Sequence, residues 1–158
     1  MRAPRLIQIM RDKSEAMAGE LVTRIRARAE CGDLLTHVPE NEQKQYASEI
    51  YQDLTEWLVN GKDSLLEQRY VALGRRRAGQ GVSASNLFCA VTIAHEYLWD
   101  YMQQECLHED PVEFWGGVML LRSLGDFFDR VVYCALIGYE MAGNESAALE
   151  FLGRKRSA

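Results

Sequence analysis

Apolar residues recur along most of the chain at the three- and four-residue spacing of amphipathic helices, and no alternation typical of a strand extends beyond a few residues. The pattern therefore predicts an all-α protein. The first predicted helix runs from about Pro4 to Ala29, and its apolar stripe consists of Leu6, Met10, Met17, Leu21 and Ile25. We expect Gly32, within Cys31-Gly32-Asp33, to end this helix in the left-handed conformation, and a loop to continue to Val38.

Two further helices are predicted between residues 39 and 79. One begins near Pro39, runs to Asn60 and stops at Gly61, with one apolar face made of Tyr46, Ile50, Leu54, Trp57 and Leu58. The next begins with a capping box of Ser64 and Glu67, and glycines 79 and 81 break it. Its apolar positions are Leu66, Tyr70 and Leu73.

A fourth helix is predicted from the cap Ser83 to about Leu107. Its stripe consists of Phe88, Val91, Leu98 and Met102, with Ala94 and Trp99 beside it. Asp110 followed by Pro111 is a typical helix start and precedes a long apolar stretch from 112 to 139. We expect this helix to end at Gly143-Asn144 and a short separate helix to span 145–152. Residues 1–152 are predicted as one domain, and 153–158 as a tail or the start of a linker.

Composition narrows the class of protein. The 158 residues are 47% apolar and 26% charged, as in a soluble globular domain. The net charge of −5 argues against a nucleic-acid binder. The apolar stretch 6–10 is too short for a signal-peptide core, and no run approaches the roughly 20 apolar residues that a membrane span needs. Four cysteines without C-x-x-C spacing predict a reduced, cytoplasmic chain.

His95 is the most informative polar residue, because its helical neighbours are Val91, Leu98 and Trp99. These four residues are the candidates for a ligand or core pocket. Three interpretations are open: a core histidine with a hydrogen-bond partner, a haem iron ligand, and a phosphoacceptor, since His95 precedes Glu96. We expect the first, without a cofactor, because bulky neighbours such as Trp99 and Tyr101 fill the space that a porphyrin would need.

Other candidate chemistry is sparse. Glu105 and His108 have the E-x-x-H spacing of di-iron bundles, but no second pair exists, so no metal site is predicted. The arginines at 69 and 75–77 complement the end of their helix, and an anion or partner site there stays open. No phosphate-binding glycine loop and no nucleophile paired with a histidine is present, so the chain is predicted not to be an enzyme.

The stretch 69–83, RYVALGRRRAGQGVS, resembles the segment R-x-x-x-L-G-x-x-R-A-x-x-G-V-S/P of RsbR-type N-terminal domains. These are the input domains of stressosome co-antagonist proteins. The stretch 90–102 is similar to the next helix of that family. Phe127-Phe128-Asp129-Arg130 and Ile137-Gly138-Tyr139 are similar to its last long helix.

The resemblance implies a non-catalytic bacterial sensor domain with a globin-like fold that lacks haem. It also implies a dimer that packs the long C-terminal helices of two protomers and relays a signal in stress response. The output is a partner protein or a fused domain. The resemblance carries over no catalytic residues.

The apolar breadth of 112–139 supports a homodimer independently. A helix that is apolar over so wide an arc must be buried on more than one side, and a second copy of the chain can provide the second cover. The candidate interface residues are Trp115, Val118, Leu121, Phe128, Val132 and Tyr139.

Overall fold

The computed structural model describes residues 1–61, 64–105 and 110–157. Over these ranges the protein is helical and contains no strand, which confirms the all-α class. A 3₁₀ turn (Ala29–Cys31) follows the first of the six α-helices of the described chain. These are α1 (Ala3–Arg26), α2 (Gly32–His37), α3 (Glu40–Asn60), α4 (Ser64–Gly79), α5 (Ala84–Glu105) and α6 (Pro111–Ser157). The globin-like arrangement stays a prediction.

The core forms around one face of α6. Leu124, Phe127 and Val131 of this face are almost completely buried, at 1%, 0% and 0% exposure. Helix α4 packs along α6, α5 packs against α6, and α1 pairs mainly with α3. The buried apolar side chains of all six helices form one continuous core.

Several predicted boundaries are confirmed because local capping chemistry determines them. The backbone N–H of Glu113 donates to Asp110 Oδ1 at 2.8 Å, so Asp110 caps α6 as expected. Helix α4 spans the predicted 64–79. Gly61, after α3, has a φ of +79°, which favours glycine. The predicted capping box depends on the Ser64 side chain, which lies outside the described part of the structure.

The predicted end of the last long helix at Gly143-Asn144 is wrong. Helix α6 continues through both residues to Ser157, so the separate helix predicted over 145–152 is the last part of α6. Glycine and asparagine inside a helix cost only about 1 kcal/mol or less each, which a long packed helix tolerates. The division into a domain over 1–152 and a tail over 153–158 stays a prediction.

The predicted loop between the first two long helices is also wrong. Helix α1 ends at Arg26, and residues 32–37 form the short helix α2. Gly32 has the right-handed helical φ of −55° and begins α2 instead of capping α1. A distant side chain supports this helix, because Gln43 Nε2 donates to the carbonyl oxygens of Leu34 and Val38.

The buried stripe of α5 is rotated relative to the predicted one. Val91, Leu98 and Met102 are buried as expected, but Phe88 and Trp99 are 48% and 42% exposed. Leu87 takes the core position predicted for Phe88. Neighbouring residues on a helix point about 100° apart, so a shift by one residue moves a side chain from the core to its edge.

Candidate functional site

The segment over 69–83 begins with a buried polar contact between α4 and α3. The side chain of Arg69 forms an ion pair with Asp53 of α3. The hydroxyl of Tyr70 donates to the other oxygen of the same carboxylate at 2.8 Å. Asp53 is 4% exposed, and a buried carboxylate needs such partners to offset its lost hydration. Arg69 and Tyr70 therefore fix the position of α4 against α3.

Gly74 allows α4 to approach α6 until the two backbones touch. A Cβ atom on Gly74 would overlap the backbone carbonyl of Ala135, and one on Gly138 would overlap that of Val71. The glycine on each helix thus makes room for the backbone of the other. A Cβ on Gly125 of α6, by contrast, would meet nothing within 4 Å.

Arg77 connects the end of α4 to the start of α3. Its side chain is 5% exposed and donates to Glu42 Oε1 at 2.6 Å, and its guanidinium lies 4.8 Å from the ring centre of Tyr46. Arg76 and Gln80 also donate to the Glu42 carboxylate. The hydrogen bond from Arg76 and those from Arg77 and Gln80 lower the pKa of Glu42 to about 2.

The arginine cluster at 75–77 has its anions within the same chain. Arg76 and Arg77 both bind Glu42, and Arg75 binds the carboxylate of Glu145 on α6 at 2.6 and 2.8 Å. Each ion pair joins α4 to another helix. The geometry therefore explains the cluster by helix packing, and no free anion site is needed to account for it.

The turn after α4 anchors α6 and α2. Gly81 has a φ of +79°, and the next residue, Val82, is completely buried. The carbonyl of Val82 accepts a hydrogen bond from the hydroxyl of Tyr139 at 2.8 Å. The backbone N–H of Ser83 donates to Asp33 Oδ2 at 2.9 Å, and this bond lowers the pKa of Asp33.

His95 lies half-buried on α5 against α6. Its ring stacks on Phe128 with centres 4.6 Å apart and planes 13° apart. No hydrogen bond to the imidazole exists among the described residues, so Phe128 takes the place of the expected polar partner. Burial lowers the pKa of His95, against the opposing charges of Asp129 and Glu96, and thereby favours the neutral imidazole.

The three residues predicted to share a pocket with His95 lie in different environments. Val91 and Leu98 are buried in the core, whereas Trp99 is exposed. The predicted E-x-x-H pair lies partly outside the described residues, because His108 falls within 106–109. The described cysteines, 31, 89 and 134, are free thiols, and Cys31 and Cys134 are buried.

The six candidate interface residues fall into three environments. Trp115 and Val118 are exposed, at 69% and 39%. Phe128 is 2% exposed and belongs to the core of its own chain, so its side chain is not available to a partner. The remaining three are partly buried against the same core: Leu121, Val132 and Tyr139.

Sequence reasoning named Trp115 as an interface candidate but not the other members of an exposed apolar stripe on α6. Val112, Met119 and Tyr133 are 65%, 68% and 58% exposed, and Met141 is 39% exposed. With Trp115 they follow a spacing that places them on the side of α6 away from Leu124 and Val131. We call residues 112, 115, 119, 133 and 141 the outer stripe. The three- and four-residue spacing of 112, 115 and 119 was the available signal.

Comparison with protein-family models finds that residues 15–150 match the family described as the RsbT co-antagonist protein rsbRD N-terminal domain. Searches of curated proteins and of solved structures find no match. No helix in the described ranges is long and apolar enough to cross a membrane. The matched residues include the whole segment 69–83 and the residues of α6 that pack against it, so the chain belongs to the family of RsbRD N-terminal domains of RsbT co-antagonist proteins.

Proposed function

We propose that this domain is a non-catalytic signal-input module that forms a homodimer along α6 and relays a signal to an output partner or a fused output domain. Membership in a family of RsbT co-antagonist domains supports a role in signalling. The observation that supports a dimer is the outer stripe of α6. Its apolar side chains are exposed, so the described residues leave much of their surface uncovered.

The outer stripe has the pattern of a helix seam. Residues 112, 115 and 119 repeat at intervals of three and four, as in helices that pack side by side. Arg122 and Asp126 follow on the same side, before the apolar Tyr133. An apolar contact near the start of α6, with charges beyond it, suits a second copy of the same helix because both partners then bury the same surface.

The last part of α6 is the proposed route of the signal. Every side chain described between residues 143 and 154 is exposed. The 12 residues from 146 to 157 correspond to about 18 Å of helix at 1.5 Å per residue. Leu149 and Leu152 are 70% and 53% exposed there. A continuous helix transmits a shift or rotation from the core to this end without an intervening hinge.

Replacing Trp115 with glutamate is expected to convert the dimer into a monomer. The wild type should sediment at twice the chain mass of 18.0 kDa. Two glutamates would face each other across the interface, where buried charge without a partner is strongly unfavourable. Sedimentation equilibrium at tens of micromolar measures the mass. Val59→Glu is the matched control, because Val59 is 56% exposed on α3 and does not belong to the outer stripe.

A monomeric wild type would contradict the homodimer. A Val59→Glu variant that dissociates as readily as Trp115→Glu would show that the interface lies elsewhere. A dimer that survives Trp115→Glu but dissociates in Leu121→Glu would move the interface to the partly buried side of α6.

We further propose that the domain works without haem. One face of the His95 ring is covered by Phe128. Iron ligation also needs a space beside the imidazole that is large enough for a porphyrin, and Val91, Leu98 and Phe128 near His95 belong to a packed core.

Haem reconstitution is expected to give no stoichiometric Soret band. The absorption spectrum after removal of excess haem measures this, with His95→Ala as the comparison. A stoichiometric band that His95→Ala abolishes would overturn the proposal and make His95 an iron ligand.

A further inference from the structure

Two cysteines belong to parts of the chain that pack against each other. Cys31 ends the 3₁₀ turn between α1 and α2, and Cys89 lies on α5. The 3₁₀ turn packs against α5, and both cysteine side chains belong to the core or border it. Neither residue belongs to the outer stripe, so this pair of thiols is separate from the proposed dimer surface.

Two polar contacts hold the segment 28–33 along α5. At one end, Arg28 Nη1 lies 3.6 Å from Glu96 Oε2. At the other end, the backbone N–H of Asp33 donates to Asn86 Oδ1 at 3.0 Å. Residue numbers rise along the segment and fall along α5 between these two contacts, so the segment runs antiparallel to the helix.

Both cysteines lie between these two contacts. Cys31 is in the middle of the segment 28–33. On α5, Cys89 follows Asn86 by three residues and precedes Glu96 by seven, which places all three on one side of the helix. This is the side that the segment covers, so the fold brings the side chains of Cys31 and Cys89 together.

The two thiols differ in their exposure to solvent. Cys31 is 0% exposed, whereas Cys89 is half-buried. Burial raises the pKa of Cys31 to about 11, and the nearby Cys89 thiol also raises it, against the charge of Arg28. Cys31 is therefore a neutral thiol at pH 7 that a dissolved oxidant does not reach. Cys89 is the thiol that an oxidant meets first.

We infer that Cys31 and Cys89 are a redox-active pair that hydrogen peroxide converts into a disulfide. The Cys89 thiol attacks one peroxide oxygen, the O–O bond breaks, and a sulfenic acid and one water form. Cys31 Sγ then attacks Cys89 Sγ. The S–S bond forms, the S–O bond breaks, and the departing hydroxide takes the Cys31 proton to become the second water. The two thiols together lose two electrons, and these reduce one peroxide to two waters.

The disulfide ties the connection between α1 and α2 to α5 by a covalent bond. Exchange with a small dithiol reverses it, so the pair can respond to oxidation repeatedly. Disulfides in proteins of reducing compartments are mostly transient and catalytic or redox-sensing, and a reversible pair of this kind fits that class. The site goes beyond the proposed relay and does not depend on the outer stripe.

Mass spectrometry of the full chain after treatment with millimolar hydrogen peroxide tests the pair. Remaining free thiols are alkylated, and chymotrypsin then cuts between Cys89 and Cys106 at aromatic residues such as Tyr97. We expect a peptide that links Cys31 to Cys89 and disappears on reduction, while Cys134 stays a free thiol. Oxidation of Cys89 without a bond to Cys31, or two thiols that both stay reduced, would overturn the inference.

Two variants separate the roles of the thiols. In Cys31→Ala the sulfenic acid on Cys89 has no second thiol to attack it, so its labelling by dimedone should rise several-fold over the wild type. In Cys89→Ala, Cys31 should stay reduced because it is 0% exposed. Cys134→Ala, which removes a buried thiol on α6, is the matched control and should leave the link intact.

Unchanged dimedone labelling in Cys31→Ala would contradict the role of Cys31 as the second thiol. Oxidation of Cys31 in Cys89→Ala as fast as that of Cys89 in the wild type would contradict the order of the two steps. If Cys31→Ala fails to fold, the linked peptide of the wild type and the Cys89→Ala variant decide.

Discussion

Gly138→Ala is expected to lower the free energy of unfolding by about 3 kcal/mol, near the upper end of the usual cost of overpacking. The added methyl group would overlap the backbone carbonyl of Val71, and a backbone cannot move aside as a flexible side chain can. Helices α4 and α6 must therefore separate along their whole contact. Gly74→Ala should have a similar effect, because its methyl group would overlap the carbonyl of Ala135. Urea denaturation followed by circular dichroism measures both variants.

Gly125→Ala is the control for this prediction. It lies on the same helix, and a Cβ there would meet nothing within 4 Å. Since alanine is the better helix former, this variant should be as stable as the wild type or more stable by up to about 1 kcal/mol. A Gly138→Ala protein within 0.5 kcal/mol of the wild type, roughly the error of such measurements, would show that the backbones are not in contact.

Glu42→Gln is expected to cost about 3 kcal/mol, because removing one partner of a buried ion pair leaves an uncompensated charge. The charge that remains is that of Arg77, whose side chain is 5% exposed. Glu40→Gln is the matched control two residues earlier on α3. Its carboxylate is exposed and lies 3.9 Å from Lys44, and such surface pairs contribute at most about 1 kcal/mol. Equal losses in the two variants would contradict the role assigned to Glu42.

The pH dependence of stability provides a second readout for Glu42. Its pKa in the folded protein is about 2, below the ordinary value of 4.5. A lowered carboxylate pKa stabilises the fold above pH 4.5, and this contribution is lost as the pH falls towards 2. The urea midpoint of the wild type should therefore fall in this range more steeply than that of Glu42→Gln. Parallel curves for the two proteins would mean that Glu42 is not the stabilised carboxylate.

The glycine contacts between α4 and α6 and the ion pair of Glu42 with Arg77 explain what the segment 69–83 does in the structure. Its glycine at 74 sets the distance between α4 and α6, and its arginine at 77 holds the end of α4 against α3. The turn at 81–83 then binds Tyr139 of α6 and Asp33 of α2. The residues that identify the family thus hold the helix that carries the proposed dimer surface.

Local sequence determined where most helices begin and end. Asp110, Ser83 and Gly61 stand at helix boundaries because capping oxygens and left-handed glycines act on the nearest backbone groups and need no distant partner. The all-α class and the long last helix follow from the same local periodicity. The helix end predicted from Gly143 and Asn144 was wrong, because the weak preference of these residues against helix does not outweigh a continuous helix of 47 residues.

Tertiary structure decided which side of each helix is buried and which polar groups meet. Leu87 and Phe88 are both apolar, and packing against neighbouring helices places one in the core and leaves the other half exposed. The contact of Gly138 with α4 and the contacts that bring Cys31 to Cys89 depend on residues that are distant in sequence. The apolar periodicity of a helix shows that one of its faces is buried. Which helices cover that face depends on how all six helices pack against one another.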